Sequence, residues 1–228
     1  MDFKELRKKN LALTKKKIRE SVNEDSLIIN AVNSLEEIDK VINSLSMRLR
    51  DWFSLVNPEF EDKVSDHHKL CRAIINSELP LSEMGADIGD DFLEIKSLAI
   101  SINTLFENKL ALNNYLERII SNYAPNLYIL IGTSLTAKFL REAKSLRNLA
   151  FVQSSTIQLF GAEKALFRHL KSGSRPPKYG FILNHQLVQN SKNKAAKARS
   201  LAGKISICAK LDYFKGEIKA NEYLEQLK

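Results

Sequence analysis

The chain has 228 residues, 44% of them hydrophobic, with only eight glycines and five prolines. That apolar share supports a packed core and excludes wholesale disorder, and so little Gly and Pro argues against a loop-rich all-β protein. The net charge of +8 is unevenly placed: Asn122 to Gly216 holds sixteen Lys and Arg against Glu142, Glu163 and Asp212, which leaves the remainder at −5. A basic half beside a mildly acidic one points to a polyanionic partner for the basic half alone.

Residues 1–25 are charged and lack a strong apolar stripe, so they read as a helical lead-in or linker. The opening MDFKELRKKNLALTKKK has no apolar signal core. No apolar run approaches the roughly 18 residues of a membrane span, so no membrane association is expected and the cytosol is the expected location. Ile28, Ala31, Leu35, Ile38, Ile42, Leu45, Leu49, Trp52 and Val56 then recur by threes and fours. That spacing is a coiled-coil seam. It stops at Asn57-Pro58, because proline disfavours the helical state of the residue before it. A shorter helix is predicted over about 61–77, followed by turn chemistry and acids in ELPLSEMGADIGDD.

A second long helix is predicted over about 91–121. It carries Ile95, Leu98, Ile102, Leu105, Leu112, Leu116 and Ile119 at the same spacing, with Lys109 the only polar entry. Two long helices joined by a shorter element form an antiparallel hairpin, here spanning 26–121. Ile38, Ile42, Leu45, Leu49, Ile102 and Leu105 are the candidates for pairing with a second copy. The expected fold is all-α, a long antiparallel coiled-coil hairpin followed by a compact helical domain.

Composition shifts at Asn122-Tyr-Ala-Pro125, where a second domain, 122–216, begins. Helices are predicted at about 126–146, 154–171 and 192–215, with 217–228 as a tail. Phe181-Ile-Leu183 reads as a short extended run leading to His185, a lone histidine that either caps a neighbouring element or stacks on an unpaired base. In the last helix Leu201, Ile205, Cys208, Leu211 and Phe214 share one side, and Lys194, Lys197, Arg199 and Lys204 point elsewhere.

Three motifs that could carry chemistry fail on inspection. Gly132-Thr-Ser-Leu-Thr-Ala-Lys138 lacks both the second glycine and the terminal hydroxyl of a phosphate-binding loop. Asp66-His67-His68 lacks the further carboxylates and histidines a two-metal site needs. Cys71 and Cys208 stand alone, which speaks against a disulfide framework or a zinc site and fits a reducing compartment. No catalytic residues, metal or cofactor are expected, and three acids in the basic domain leave little for acid–base catalysis.

The densest cluster is LFGAEKALFRHLKSGSRPPKYG, from Leu159 to Gly180. On one helix from about Ser154 to Lys171, Leu159, Ala162, Leu166 and Leu170 would line the buried side, with Lys164, Arg168 and Lys171 on an exposed neighbouring side. Glu163 would orient a basic neighbour or accept a hydrogen bond. Together with Arg175 and Lys178 of the following loop and the basic last helix, this makes a multi-element cationic surface suited to phosphates.

These residues also carry a resemblance. SSTIQLFGAEKALFRHLKSGSRPPKYG followed by KAAKARSLAGKISICAKLDYF resembles the core of the Nop domain. DSLIINAVNSLEEIDKVINSLSMRLRDWF resembles the coiled-coil segment of archaeal Nop scaffold proteins. The resemblance implies an all-helical, non-catalytic member of box C/D ribonucleoproteins, which guide RNA 2′-O-methylation. It implies three partners: a guide RNA with a kink-turn, the small ribosomal-protein-like protein that binds that kink-turn, and a second copy through the coiled coil. It places Gly161, Ala162, Glu163, Lys164 and Arg168 at the ribonucleoprotein contact and His185 near an RNA loop. Lys194, Lys197, Arg199 and Lys204 fall on the basic C-terminal helix. The chain begins almost at the linker after the family's fibrillarin-binding domain, so fibrillarin recruitment is not expected of it. A coiled-coil adaptor without a specific RNA role is the competing reading.

Overall fold

The computed structural model describes residues 3–227, and every regular element among them is helical. They divide into two compact units: Asn33–Tyr115 is one, and the residues up to Val32 together with those from Leu116 onward are the other. In chain order the first elements are α1 (Phe3–Ser21), α2 (Glu24–Phe53), α3 (Pro58–Lys63), α4 (His67–Asn76) and α5 (Phe92–Tyr123). Both α2 and α5 contribute residues to both units. No helix among the described residues is long and apolar enough to cross a membrane.

Within Asn33–Tyr115, α2 and α5 run antiparallel. Lys109 Nζ meets Asp39 Oδ1 at 2.6 Å, while the later α2 residues Leu49 and Phe53 share a buried core with the earlier α5 residues Ile95, Ala99 and Ile102. The one polar entry of the second seam is thus matched by a carboxylate on the first. Leu70, Cys71 and Ile74 of α4 complete this core. Two of the residues expected at a dimer seam, Leu49 and Ile102, are therefore wholly enclosed within one chain, and Ile42 is also buried. Their apolar area is satisfied by the chain's own hairpin. Ile38, Leu45 and Leu105 are half-buried. The seam also shifts at its end: Trp52 is exposed and Phe53 takes the core position, its ring edge-on to Phe60.

The helix predicted over 61–77 is two helices, broken between Lys63 and His67. Each has its own cap, because Asn57 Oδ1 accepts from Phe60 N at 3.0 Å and Asp66 Oδ1 accepts from Lys69 N at 2.8 Å. Arg50 closes the corner. Its guanidinium donates to His67 Nδ1, to the Glu61 carboxylate and to the Val64 carbonyl. Asp66-His67-His68 is thereby used up structurally, with the His68 ring 4.5 Å from that of Phe106. No group of His, Cys, Asp or Glu among the described residues could hold a metal ion. Burial pushes the Cys71 thiol up to about 11 and that of Cys208 up to about 12, so both stay protonated and unreactive.

The other unit contains α6 (Pro125–Ala143), α7 (Leu146–Phe151), α8 (Ser154–Leu159), α9 (Glu163–Ser172), α10 (Gln186–Gln189), α11 (Lys194–Tyr213) and α12 (Ala220–Gln226). The central helix is α11, which packs on α6, α7 and α8. Ala198, Leu201, Ala202, Ile205, Cys208 and Ala209 are all buried. Small residues alternate with large ones along that face, so helices can approach closely on several sides.

Near the end of α11, Asp212 is buried and turned onto the first turn of α6. Its Oδ1 accepts from Asn126 N and Asn126 Nδ2, each at 2.9 Å, and its Oδ2 accepts from Leu127 N at 2.9 Å. Ala124 at the start of α6 has no side chain that can cap, so a carboxylate 86 residues away supplies the cap. Burial raises the Asp212 carboxyl above its ordinary range, and the hydrogen bonds from Leu127 and Asn126 pull it back. Asp25 of α2 plays a similar part, accepting from Leu146 N at 2.9 Å at the start of α7.

Several local features depart from the sequence expectations. Helix α7 is a separate element with its own cap, Ser145, where the sequence pattern marks none. The single helix predicted over 154–171 is two helices separated at Phe160–Ala162. Phe181–Asn184 is a 3-10 turn rather than an extended run. Within the segment expected as a C-terminal tail, α12 forms over Ala220–Gln226, and Ala220 and Leu227 are buried; Lys228 lies outside the described residues. Leu170, expected on a buried side, is 72% exposed, and Phe214, grouped by spacing with the apolar side of the last helix, is 64% exposed.

Candidate nucleic-acid interface

The break between α8 and α9 is made by Gly161. Its φ is +84°, a left-handed conformation that side-chain-bearing residues avoid, and a Cβ there would lie 2.5 Å from the Phe181 ring. The chain turns, and Glu163 Oε1 accepts from Gly161 N at 2.7 Å. Glu163 therefore stabilises its own turn rather than orienting a cation. Ala162 occupies the N-cap position of α9 without a capping side chain.

No residue of α9 is buried. Ala165, Leu166 and His169 are half-buried. At 100° per residue, Lys164, Phe167, Arg168 and Lys171 share the opposite face, with Leu170 on its border. All five are exposed, Phe167 by 70%. The three cations of this face carry no ion pair to a carboxylate of the described residues. The expectation that the cations lie outside holds, whereas Leu170 belongs outside with them and Phe167 joins the same surface. The reason is the turn at Gly161, which resets the side of α9 that faces the domain and breaks the phase of a continuous helix.

The loop after α9 is held in place. Gly173 takes a left-handed conformation at the helix end, and the His169 ring bonds the Ser174 carbonyl. Gln158 Nε2 donates to Lys178 O at 2.6 Å, Gly180 N to Gln158 O at 2.9 Å and Phe181 N to Phe160 O at 2.7 Å. These bonds fix the backbone through 178–181. Arg175 is exposed and Lys178 is at the surface beside it in sequence. Five cations, Lys164, Arg168, Lys171, Arg175 and Lys178, thus come from one helix and the loop that follows it.

The α11 cations do not all join them. Lys197 Nζ donates to the Leu227 carbonyl, and Lys204 Nζ donates to Gln226 Oε1 and lies 4.5 Å from the centre of the Tyr223 ring. Both serve to hold α12. Lys194 and Arg199 remain exposed. Both lysines are thus engaged within the chain, because α12 folds back against α11.

His185 is likewise engaged within the domain. Its Nδ1 accepts from Leu187 N at 3.3 Å at the start of α10, and its Nε2 pairs with the Leu130 carbonyl at 3.2 Å. One neutral tautomer satisfies both bonds, with Nε2 carrying the proton. Burial holds its pKa below the ordinary imidazole value, which favours that neutral form. Of the two roles open to it from sequence, the structure shows the capping one. Leu130 lies just before Gly132, whose non-helical backbone (φ 75°, ψ 171°) interrupts α6. Thr136 Oγ1 donates back to Gly132 O at 2.8 Å. The loop that faintly echoes a phosphate site is a helix interruption within the domain. Beside it runs an open groove of about 810 Å³ lined in part by Tyr128, Gly132, Lys138, His185 and Glu225.

The family model described as "Nop: snoRNA binding domain, fibrillarin" matches residues 34–83 and 73–228. An uncharacterized NOP5 family protein of Methanocaldococcus jannaschii is 37% identical over 99% of this chain and 62% of its own length. Nucleolar protein 56 of Mus musculus is 34% identical over 93% of this chain and 42% of its own length. The chain thus spans less than two thirds of these relatives. A crystal structure of a fibrillarin/Nop5p complex superposes with a TM-score of 0.60 at 27% identity, covering 99% of this chain and 79% of that one. With a matching family model over most of its length, an all-helical fold and the GAEKALFR turn-and-helix exposed on its surface, the chain belongs to the Nop family.

Proposed function

We propose that this chain is a non-catalytic RNA–protein scaffold of a box C/D-type ribonucleoprotein. In this reading it grips a kink-turn RNA together with the small protein bound to that RNA, within an assembly that guides RNA 2′-O-methylation. The observation that carries the reading is the chemistry of α9. The helix has no fully buried residue and presents Lys164, Arg168 and Lys171 beside the exposed apolar side chains of Phe167 and Leu170. Duplex RNA offers phosphates to the cations, but its bases are stacked inside the helix and cover little of two large apolar groups. A composite of RNA and protein satisfies both.

The solved relative was crystallised with fibrillarin. We place fibrillarin in the same assembly and assign it no contact on the residues described. Self-association belongs to the same proposal. The hairpin encloses Leu49 and Ile102 but leaves Val41, Leu93 and Ile100 exposed, and these suit a second copy better than the enclosed seam.

Binding is tested by titrating kink-turn RNA, free and with its small protein bound, at two salt concentrations. Tight binding only to the binary complex is expected. Equal affinity for the complex and for naked duplex RNA would reduce the surface to a general cationic one and sink the composite reading.

A further inference from the structure

A second mixed surface lies away from α9 in sequence, where α7 and α11 end. Phe151 and Phe214 are each 64% exposed, and their ring centroids are 6.2 Å apart at an interplanar angle of 82°. Tyr213 touches both, at 5.9 Å from Phe151 and 5.0 Å from Phe214. The three rings brace one another edge to face, so the two outer rings are held in place before anything binds.

Each outer ring has a cation one helical turn before it. Arg147 is four residues ahead of Phe151 on α7, and Lys210 is four residues ahead of Phe214, the C-cap of α11, whose N–H donates to Lys210 O. Positions four apart share a helix face, and both cations are exposed. Arg199 falls on the same stripe of α11, about 16 Å before Lys210 at 1.5 Å per residue. The only acid in 144–153 and 207–216 is Asp212, and it is buried against α6. The two ring-bearing segments therefore contribute cations and no exposed carboxylate, and the next acid along the chain, Glu217, is paired with Lys219 at 3.0 Å.

We propose that Phe151 and Phe214, flanked by Arg147 and Lys210, form a stacking platform for unpaired nucleotides of the bound RNA, separate from the α9 surface. Bases of any sequence stack on aromatic rings, and the cations meet the adjoining phosphates. A protein partner would cover the rings equally well, but only one that brought carboxylates of its own would match the two cations. A charged polymer with flat apolar bases matches both halves of the surface. This inference rests on the RNA-binding reading above and adds a second place of contact to it.

The test uses the full chain and a kink-turn RNA carrying a ten-nucleotide unpaired extension, bound to its small protein. 5-Iodouridine is placed at each extension position in turn, since it photocrosslinks to aromatic rings stacked on it. Crosslinks mapping to Phe151 or Phe214 are expected. A Phe151→Leu/Phe214→Leu variant keeps the apolar area and removes the rings, and affinity should fall at least about fivefold. Arg147→Ala/Lys210→Ala should lower the salt slope by about two, one for each phosphate no longer neutralised. Arg168→Ala is measured in parallel. If it weakens binding while both platform variants bind as wild type, the platform is overturned and the α9 reading stands. If the wild type fails to bind the complex even at low salt, both fall. If the leucine variant changes only the sedimentation of the free protein, the rings belong to a protein interface and the proposal is wrong.

Discussion

The two basic helices of the larger unit contain similar residues and put them to different use. On α11, Lys197 and Lys204 are tied to α12, and Asp212 caps α6 from a buried position. On α9, the cations Lys164, Arg168 and Lys171 lie in solvent on a helix without a buried residue. A helix that organises a core uses its charges for its neighbours. A helix that stands outside the core leaves them in solvent.

The sharpest way to break this contrast is Asp212→Ala. It leaves the Asn126 and Leu127 N–H groups without their buried acceptor, and loss of one partner from such a network costs about 3 kcal/mol. Thermal unfolding followed by circular dichroism should show a larger drop than for any of the substitutions that follow. An unchanged melting temperature would mean that α11 does not organise α6.

Next is Gly161→Ala, which forces a side chain into the left-handed region and against the Phe181 ring. A loss of about 2 kcal/mol is expected from backbone strain and overpacking together. Chemical denaturation would measure it, and a neutral result would show that the α8–α9 turn adapts freely.

The substitutions Lys164→Ala and Arg168→Ala act on the other side of the comparison. Stability should stay within about 0.5 kcal/mol, as for ordinary surface positions. Affinity for the RNA–protein complex should fall about tenfold for the pair, with the salt slope reduced by about one per phosphate released. Lys197→Ala should behave in the opposite way. It should cost about 1 kcal/mol of stability, through the missing hydrogen bond to Leu227, and leave the salt slope unchanged. If Lys197→Ala changed the slope and Lys164→Ala did not, the division between the two helices would be reversed.

The smallest effect is a pH dependence centred on His185. Burial lowers its folded pKa below the unfolded value. The folded state then binds fewer protons, so this contribution is fully present above the unfolded pKa of about 6.5 and is lost as pH falls through the lower folded value. Wild-type stability should decline from pH 7 towards pH 5 more steeply than that of His185→Asn, compared by denaturant midpoints. Parallel curves would show that the ring titrates as in the unfolded chain.

The all-helical fold and the hairpin are legible in the sequence because three-four periodicity and the proline at position 58 are local signals that need no neighbour. The cations of GAEKALFR are legible as a surface cluster for the same reason. The turn at Gly161 is not, since the positive φ and the close approach of Phe181 depend on a residue 20 positions away. Phe167, Leu170 and Phe214 are harder still: a side chain's apolar character does not say whether another element arrives to cover it.

Helix content, the basic charge of one half and the lack of a recognisable catalytic motif are set by residue types and short spacings alone, because propensity, charge and periodicity act within a few residues. Which lysines stay in solvent is decided only in three dimensions. Lys197 and Lys204 differ from Lys164 in that α12 folds back to them, 22 to 30 residues further along the chain. The same long-range packing makes Asp212 a cap for α6, a role that no spacing within either helix encodes.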